Sequence, residues 1–352
     1  MKRIAVIAHG LSGGGAERVA ALVANYFAQN NYDVLFVACY NNKREYVLDE
    51  RIKYVFLKTK SENGTLCMIE RSFLLKKQVK NFKADAAFSF ITNELIPLVL
   101  SRIPVIPSLR MDPKYIEKYY LRKKIRLFVY HHAKNIIFQT EDARDYFDSS
   151  IRKKGVVIGN PIKDNLPYWK EEGHRKVFVT ACRISKQKNI PMLINSFSEF
   201  HKTHSDYKLE IYGDGEPESY KQEMEDYCKK IKADSFIHFM GHTSEIHSIM
   251  SGCEAFFLTS DCEGLSNSML EALAIGIPSV CTDCPPGGAK IYMKDGAGIL
   301  IDVGDEKALT KAMCSIAESE QLRKELSEKE KYVRQVLQKD AVCRKWEELI
   351  RE

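Results

Sequence analysis

The feature that most constrains the fold is an alternation of short apolar runs with helical segments, and this alternation occurs twice along the chain. In the first half the apolar runs are RIAVIAH, DVLFVA, DAAFSF, PVIPSL, NIIFQT and GVVIGN, with helical segments between them, notably 16–30 and 113–133. Runs without polar alternation indicate strands buried on both faces, as in a parallel sheet. We therefore predict a doubly wound α/β fold with right-handed crossovers.

The alternation restarts after a polar stretch at 163–176, with the runs VFVTA, KLEIYG, FIHFMG, AFFLTS, PSVCT and GILID. We predict two Rossmann-like domains, 1–162 and 177–335, joined by a linker at 163–176, with ligands bound in a cleft between them. Residues 336–352 carry apolar residues at helical spacing, which predicts a C-terminal helix that packs on the N-terminal domain. These apolar residues are Val342, Trp346, Leu349 and Ile350.

Composition excludes several classes of protein. No run of about 18 apolar residues is present, so no transmembrane helix is expected. The opening MKRIAVIAHGLSGGG meets glycines and no cleavage site, so we interpret it as a β-strand, not a signal peptide. The ten cysteines are scattered, and the single Cys-x-x-Cys, Cys281 to Cys284, lacks a second pair. We expect reduced, buried thiols and a cytoplasmic protein.

Positive charge is concentrated in the first 160 residues, which hold 27 lysines and arginines against 15 aspartates and glutamates. Two helical stretches, 71–83 and 114–135, mix basic residues with Tyr, Phe, Leu and Ile. This pattern suits an anionic membrane surface or another anionic partner, and we expect a peripheral location on the inner face of the cell membrane. A solvated helix face over an ordinary core is the alternative. Nucleic acid is not expected as a partner, because no recognition motif is present.

The most informative residues are two glutamates eight apart, Glu263 and Glu271, in the run DCEGLSNSMLEALAIGIP. Glu263 lies in a loop after the apolar run 255–258, and Glu271 lies one to two turns into the helix that follows. A strand, a tight loop and a helix N-terminus form an anion site, because unpaired N–H groups and the helix dipole favour negative charge. Carboxylates beside that site suit hydroxyl-rich groups that flank a phosphate, which indicates a sugar nucleotide. The alternative is a pair of solvated surface acids.

Other groups complete a phosphate site. Gly13, Gly14 and Gly15 precede a helix and let backbone N–H groups approach an anion, although they match neither the dinucleotide nor the NTPase fingerprint. Arg183 and Lys188 follow the first strand of the second domain, where Arg binds a diphosphate bidentately and Lys adds a point charge. The chain contains no Asp-x-Asp, the usual divalent-ion device, so we expect cationic side chains and helix N-termini to neutralise the phosphates without a metal.

Taken in order, GGGAER, R-x4-KN, GDGE and E-G-x6-E-A-x-A-x-G-x-P resemble the retaining GT-B glycosyltransferases of family 4 over nearly the whole chain. The segments PSLRMDP, FQTEDARDYF and GNPI are similar to those of bacterial members that build O-antigen, capsule or N-linked lipid-borne glycans. The resemblance implies that Glu263 contacts donor-sugar hydroxyls and that Glu271 holds the ribose. It also implies that Arg183 and Lys188 bind the diphosphate and stabilise the leaving group.

Further donor contacts implied by the resemblance are Gly14, Gly15, Arg110, Gly264, Leu265 and Ser266. The sequence departs from the family at three places. Cys182 stands where Gly usually precedes the arginine, Leu109 stands where Glu is common, and Arg110 lies near the place of a sugar-contacting His.

The function expected from this resemblance is metal-independent, retaining transfer of a hexose or N-acetylhexosamine from a UDP-sugar to a lipid-diphosphate-linked glycan, without a resident cofactor. One alternative is a nucleotide-sugar epimerase or phosphorylase of the same fold. The other is a non-enzymatic, basic surface-binding protein, which would leave the glycine loops unexplained.

Overall fold

The computed structural model describes residues 1–116 and 120–351, which divide into two units. One unit contains residues 1–161 together with residues 339–351, and the other contains residues 162–338. The stretch expected to be a linker, 163–176, is part of the second unit. Its apolar side chains account for this: Leu166 and Trp169 are buried, and the Trp169 indole N–H donates to the Cys253 carbonyl oxygen at 2.8 Å.

The first unit is built around a parallel sheet. Its strands and helices are β1 (Arg3–Ala8), α1 (Gly15–Gln29), β2 (Asp33–Ala38), β3 (Lys53–Phe56), α2 (Gly64–Asn81), β4 (Ala86–Ser89), α3 (Ile96–Val99), β5 (Val105–Pro107), α4 (Pro113–Ile116), α5 (Tyr120–His132), β6 (Ile136–Phe138), α6 (Glu141–Asp145), α7 (Ser149–Arg152) and β7 (Gly155–Val157). The strand order is β3-β2-β1-β4-β5, and the parallel pair β6-β7 meets the end of β5 through a bridge between Ser108 and Ile137. The order reverses between β1 and β4, which is where ligands bind in open α/β sheets.

The second unit repeats this plan. Its elements are β8 (Arg175–Ala181), α8 (Ile190–His201), β9 (Lys208–Tyr212), α9 (Glu218–Lys230), β10 (Ile237–Gly241), α10 (Ile246–Ser251), β11 (Cys253–Leu258), α11 (Asn267–Ile275), β12 (Ser279–Thr282), α12 (Gly288–Tyr292), β13 (Ile299–Ile301), α13 (Glu306–Glu318), α14 (Glu320–Glu330) and α15 (Tyr332–Val336). The parallel order β10-β9-β8-β11-β12-β13 reverses between β8 and β11. The loops after these two strands are therefore neighbours.

Continuous apolar runs became buried strands because both faces of each sheet are covered; β1, for example, is buried from Ile4 to Ala8. The edge strand β3 was not predicted, and its residues are exposed or half-buried in the structure. The helix predicted at 113–133 corresponds to α4 and α5, and residues 117–119 between them lie outside the described part of the chain.

The C-terminal helix α16 (Lys339–Arg351) belongs to the first unit and is amphipathic. The four apolar positions singled out in its sequence are all buried. Trp346 stacks on Phe90 with ring centroids 5.4 Å apart, and Lys2 Nζ donates to the Ile350 carbonyl oxygen at 2.7 Å. The helix thus supplies part of the core of the first unit.

No helix in the described ranges is both long enough and apolar enough for a membrane crossing. In the same ranges, no two cysteines form a disulfide, and Cys281 and Cys284 are buried thiols.

Candidate functional site

The loops after β8 and β11 are joined by hydrogen bonds. The two strands pair in parallel, with Phe256 opposite Val179, so both loops leave the same edge of the sheet. The Thr259 hydroxyl donates to the carbonyl oxygens of Lys188 and Asn189, at 3.0 and 3.2 Å. The Asn189 side chain both caps α8 and donates to Asp261 at 2.7 Å. These bonds fix the backbone that carries the predicted cations.

Lys188 and Glu263 form a buried ion pair between these loops. Lys188 Nζ contacts Glu263 Oε2, and the two side chains are 8% and 20% exposed. The Ser260 hydroxyl donates to the same carboxylate oxygen at 3.2 Å. Burial acts to lower the pKa of Lys188, but the charge and hydrogen bond of Glu263, together with Cys182, outweigh it, so the pKa is raised overall. Lys188 is therefore a fixed positive charge at neutral pH.

Arg183 is held differently, in an exposed pair with Glu216. Glu216 belongs to the turn GDGE after β9, and this turn lies against the Arg183 loop. Gly213 makes the close approach possible: its φ is +134°, and a Cβ there would lie 1.9 Å from the Cys182 carbonyl oxygen. The Ile184 N–H donates to the Asp214 carbonyl oxygen at 2.8 Å. The GDGE signal was noticed in the sequence, but its role as the holder of Arg183 was not.

The loop after β11 leads into the N-terminus of α11. The Glu263 N–H donates to the Pro285 carbonyl oxygen at 2.9 Å, and a Cβ on Gly288 would lie 2.6 Å from the Gly264 carbonyl oxygen. Leu265 is buried, and Ser266 caps the helix through its hydroxyl, which accepts from the Met269 N–H at 3.4 Å. Gly264, Leu265 and Ser266 thus precede a helix of nine residues whose first N–H groups favour an anion.

Glu271 lies in the second turn of α11 and is buried. Its Oε2 is 2.8 Å from Nε2 of His247, which is on the adjacent helix α10. His247 was missed by the sequence reasoning, because nothing in its local pattern marks it and it precedes Glu271 by 24 residues. The contact fixes the orientation of the carboxylate.

In the first unit, two carboxylates of the chain lie next to the glycine loop that follows β1. Gly13 has a φ of +82°, and its N–H donates to Glu45 Oε2 at 2.9 Å. Gly14 is the N-cap of α1, and a Cβ there would lie 1.9 Å from Glu17 Oε2. Gly15 is the first residue of α1. The loop geometry suits an anion, since two carboxylates already lie against it.

Arg110 lies beyond β5 with its guanidinium buried. Its Cζ is 5.2 Å from the ring centroid of Phe90 and 5.5 Å from that of Trp346. Gly14, Gly15 and Arg110 are thus in the first unit. The second unit holds the other predicted site residues, in the loops after β8 and β11 and at the start of α11: Arg183, Lys188, Glu263, Gly264, Leu265, Ser266 and Glu271.

Within the described ranges, one group of side chains has the spacing of a metal site: His204, Cys314 and Glu318, with ligand atoms within 4.8 Å of one another. His204 follows the end of α8, whereas Lys188 precedes its start. A helix of 12 residues is about 18 Å long, so this group is not part of the Lys188 loop.

The sequence model of the family described as "Glycosyl transferases group 1" matches residues 163–333, which include both loops and α11. Residues 163–333 are a group 1 glycosyl transferase domain. The amylovoran biosynthesis glycosyltransferase AmsD of Erwinia amylovora is 25% identical to the chain over 341 residues, which cover 93% of each protein.

The similarity to other proteins also extends over the first unit. The N-acetylgalactosamine-N,N'-diacetylbacillosaminyl-diphospho-undecaprenol 4-alpha-N-acetylgalactosaminyltransferase of Campylobacter jejuni is 25% identical over 352 residues, covering 94% of each chain. The structure of Anabaena HepE in complex with UDP superposes with a TM-score of 0.86 at 16% identity, covering 100% of both chains. The predicted fold is confirmed: the chain has the GT-B fold, with two parallel-sheet domains.

Proposed function

We propose that this chain is a retaining glycosyltransferase that transfers a hexose or N-acetylhexosamine from a UDP-sugar to a lipid-diphosphate-linked glycan in bacterial polysaccharide synthesis. The observation that carries the proposal is the buried Lys188–Glu263 pair, with Arg183 beside it, at the carboxyl ends of β8 and β11 inside the group 1 domain. The UDP complex of HepE and the diphospho-undecaprenol substrate named for the Campylobacter relative support the choice of donor and acceptor.

Each side chain has a role that follows from its surroundings. Lys188 is already oriented and protonated, so it stabilises the charge that develops on the departing diphosphate without reorganising. Arg183 reaches the diphosphate by leaving Glu216, and an exposed pair of this kind holds it by only about 0–1 kcal/mol. Glu263 accepts hydrogen bonds from sugar hydroxyls, and Glu271, oriented by His247, accepts from the ribose.

Metal independence is part of the proposal, because Lys188, Arg183 and the N-terminus of α11 supply the positive charge that the diphosphate requires. Retention follows from attack on the same face of the sugar that the leaving group departs from. The departing phosphate takes the proton of the acceptor hydroxyl, a glycosidic bond forms, and the bond from the anomeric carbon to the phosphate oxygen breaks.

The test is a screen of UDP-sugars against the full chain, with thermal stabilisation and donor consumption as readouts. One UDP-sugar is expected to raise the unfolding temperature, and to be consumed only when a polyprenyl-diphosphate-linked glycan is present. Activity is expected to survive EDTA; loss that magnesium restores would contradict metal independence. Conversion of the donor without an acceptor would indicate an epimerase, and a requirement for inorganic phosphate would indicate a phosphorylase.

We infer that the acceptor is met at an anionic membrane surface. Exposed apolar residues on α2 occur at helical spacing, and others lie on α5; both helices pack against α3. This α2–α5 apolar surface consists of Leu66, Ile69, Phe73, Tyr120 and Leu121. The same two helices also carry six basic residues: Lys76, Lys77, Lys80, Arg122, Lys123 and Lys124. Apolar side chains flanked by Lys and Arg are typical of interfacial helices.

Flotation with vesicles tests this surface. We expect the chain to float with vesicles that contain anionic lipid, to float less with neutral vesicles, and to be released partly at high salt. Phe73→Ser is expected to weaken flotation. The matched control is Val47→Ser, since Val47 is an exposed apolar residue of the same unit outside the surface. Equal flotation of both variants and wild type would contradict the assignment.

A further inference from the structure

Arg110 in the first unit is a second buried cation, and unlike Lys188 it has no hydrogen-bond partner within the described residues. The Nε, Nη1 and Nη2 atoms of Arg110 are all buried, and none of them has a hydrogen-bond acceptor in the described part of the chain. Burial lowers the pKa of Arg110 to about 9, and no charged neighbour counteracts this effect. A charge removed from water is unfavourable unless an opposite charge or hydrogen bonds compensate for it. The faces of Phe90 and Trp346 compensate only in part.

The surroundings of Arg110 are rich in donors. Trp346 Nε1 is buried without an acceptor, and an indole nitrogen can only donate. Trp346 contacts the guanidinium and stacks on Phe90 with an interplanar angle of 11°. The Ser108 hydroxyl, two residues before Arg110, is likewise buried without a partner. A cluster of donors without an acceptor fits a ligand that brings several acceptor oxygens and a negative charge.

The cluster lies at the carboxyl end of the first sheet. Phe90 directly follows β4, and Arg110 comes three residues after the end of β5. The two strand ends are joined by the Ser108 N–H, which donates to the Ser89 carbonyl oxygen at 2.7 Å. In parallel α/β sheets this edge is where ligands bind.

We propose that Arg110 and Trp346 hold a phosphoryl oxyanion of a substrate, with the guanidinium as a planar donor fork and the indole N–H as an additional donor. The assignment rests on the proposed function, in which both substrates carry a diphosphate. A guanidinium fork matches two oxygens of one phosphoryl group, and the flanking rings keep its plane fixed. The donor and the lipid-linked acceptor offer the same chemistry, so the experiment has one arm for each.

The experiment measures binding of UDP and of farnesyl diphosphate, separately, to the full chain by calorimetry. Arg110→Met is expected to lower the affinity for one of the two ligands by at least ~10-fold, the loss of a charged hydrogen-bonded contact. Trp346→Phe keeps an aromatic side chain but replaces the indole with a smaller ring that has no N–H, and is expected to lower the same affinity by a smaller factor, about 3-fold. The matched control is Arg102→Met, which removes an exposed arginine of the same unit.

The ligand-free variants separate binding from packing. Arg110→Met is expected to unfold at the same temperature as wild type or higher, because it removes a buried charge without a partner. A lower unfolding temperature with unchanged affinities would make Arg110 a packing residue and overturn the proposal. If Arg110→Met does not fold, Arg110→Lys and Trp346→Phe carry the test.

Loss of UDP affinity would place the donor diphosphate at Arg110, and loss of farnesyl diphosphate affinity would place the acceptor there; either supports the proposal. Unchanged affinity for both ligands overturns it, as does failure of the wild-type chain to bind either. Failure of the proposed function is a different result, because it is the failure of wild type to consume any UDP-sugar. If Arg110→Met binds both ligands and transfers sugar as wild type does, the proposal of a phosphoryl site fails but the proposed function stands.

Discussion

Lys188 in the second unit and Arg110 in the first both follow strands of a parallel sheet and both carry buried charge, but their surroundings differ. Lys188 is neutralised by Glu263 within its own unit, whereas Arg110 lies beside the faces of Phe90 and Trp346 and has no hydrogen-bond acceptor among residues 1–116 and 120–351. A paired cation keeps its geometry whether or not a ligand is present. An unpaired one gains its compensating charge only when a ligand arrives. If the proposals hold, the site in the second unit is arranged before substrate binds, whereas the site at Arg110 gains its compensating charge from the substrate.

Breaking the pair at Lys188 is expected to have the largest effect. Lys188→Met leaves Glu263 mostly buried without its cation, so we expect the free energy of unfolding to fall by about 3 kcal/mol. We expect kcat/KM for sugar transfer to fall by roughly 10²–10³-fold, since a fixed positive charge no longer faces the leaving group. Urea denaturation and steady-state kinetics measure the two losses.

The double variant Lys188→Met with Glu263→Gln separates the two effects. Removing both charges is expected to restore most of the stability and none of the transfer, because no unpaired carboxylate remains but the diphosphate has still lost its cation. Transfer recovered along with stability would make the pair purely structural. If the single variant Lys188→Met is as stable as wild type, the proposed difference between a paired Lys188 and an unpaired Arg110 is not supported.

The second unit also contains a buried carboxyl group that, within the described residues, is not paired with a cation. Glu330 at the end of α14 is fully buried and accepts the Ser279 N–H at 2.9 Å; burial raises its pKa well above the usual range. Pairing thus compensates the charge of Lys188, whereas burial favours the protonated form of Glu330.

This arrangement fixes the sign of a pH effect. Below the unfolded-state pKa of Glu330 both states are protonated and the stability is unaffected. As pH rises past that value, the unfolded state loses its proton while the folded state keeps it, so the free energy of unfolding falls until the folded pKa is reached. Glu330→Gln is expected to remove this loss. The expected gain at pH 8 is about 1–2 kcal/mol, and it shrinks as pH is lowered toward 5.

Denaturation curves between pH 5 and 8 measure the gain. The matched control is Glu328→Gln, because Glu328 is an exposed acid on the same helix, and it is expected to give no pH-dependent difference. A gain that is constant with pH would mean that Glu330 is ionised in the folded state.

The sequence predicted the parts of the molecule that depend on local pattern. Apolar runs identified the central strands, and the helix predicted after the Glu263 loop is α11, which Ser266 caps. The linker at 163–176 was predicted from polar composition; in the structure Trp169 of this stretch is buried and donates to the Cys253 carbonyl oxygen of β11, within the second unit.

The partners of the site residues could not be predicted in the same way, because they depend on which strands become neighbours. Lys188 and Glu263 were each predicted, but they are 75 residues apart and meet only because β8 pairs with β11. His247 contacts Glu271, and Glu216 contacts Arg183. Local sequence spacing predicts neither contact. The burial of Arg110 depends on Trp346, which comes from the far end of the chain.

Arg183 is a third kind of cation, paired but exposed, and the smallest effect is expected there. Glu216→Gln breaks a pair whose side chains are 56% and 57% exposed, so we expect the free energy of unfolding to change by less than about 0.5 kcal/mol. The KM for the donor is expected to fall slightly, by up to about 3-fold at low salt, because Arg183 no longer has to leave a carboxylate. The difference is expected to vanish at high ionic strength, where solvent and salt already screen the pair. Glu223→Gln, an exposed acid on α9, is the matched control. A loss of more than about 1 kcal/mol in Glu216→Gln would mean that this exposed pair supports the GDGE turn as firmly as Glu263 supports Lys188.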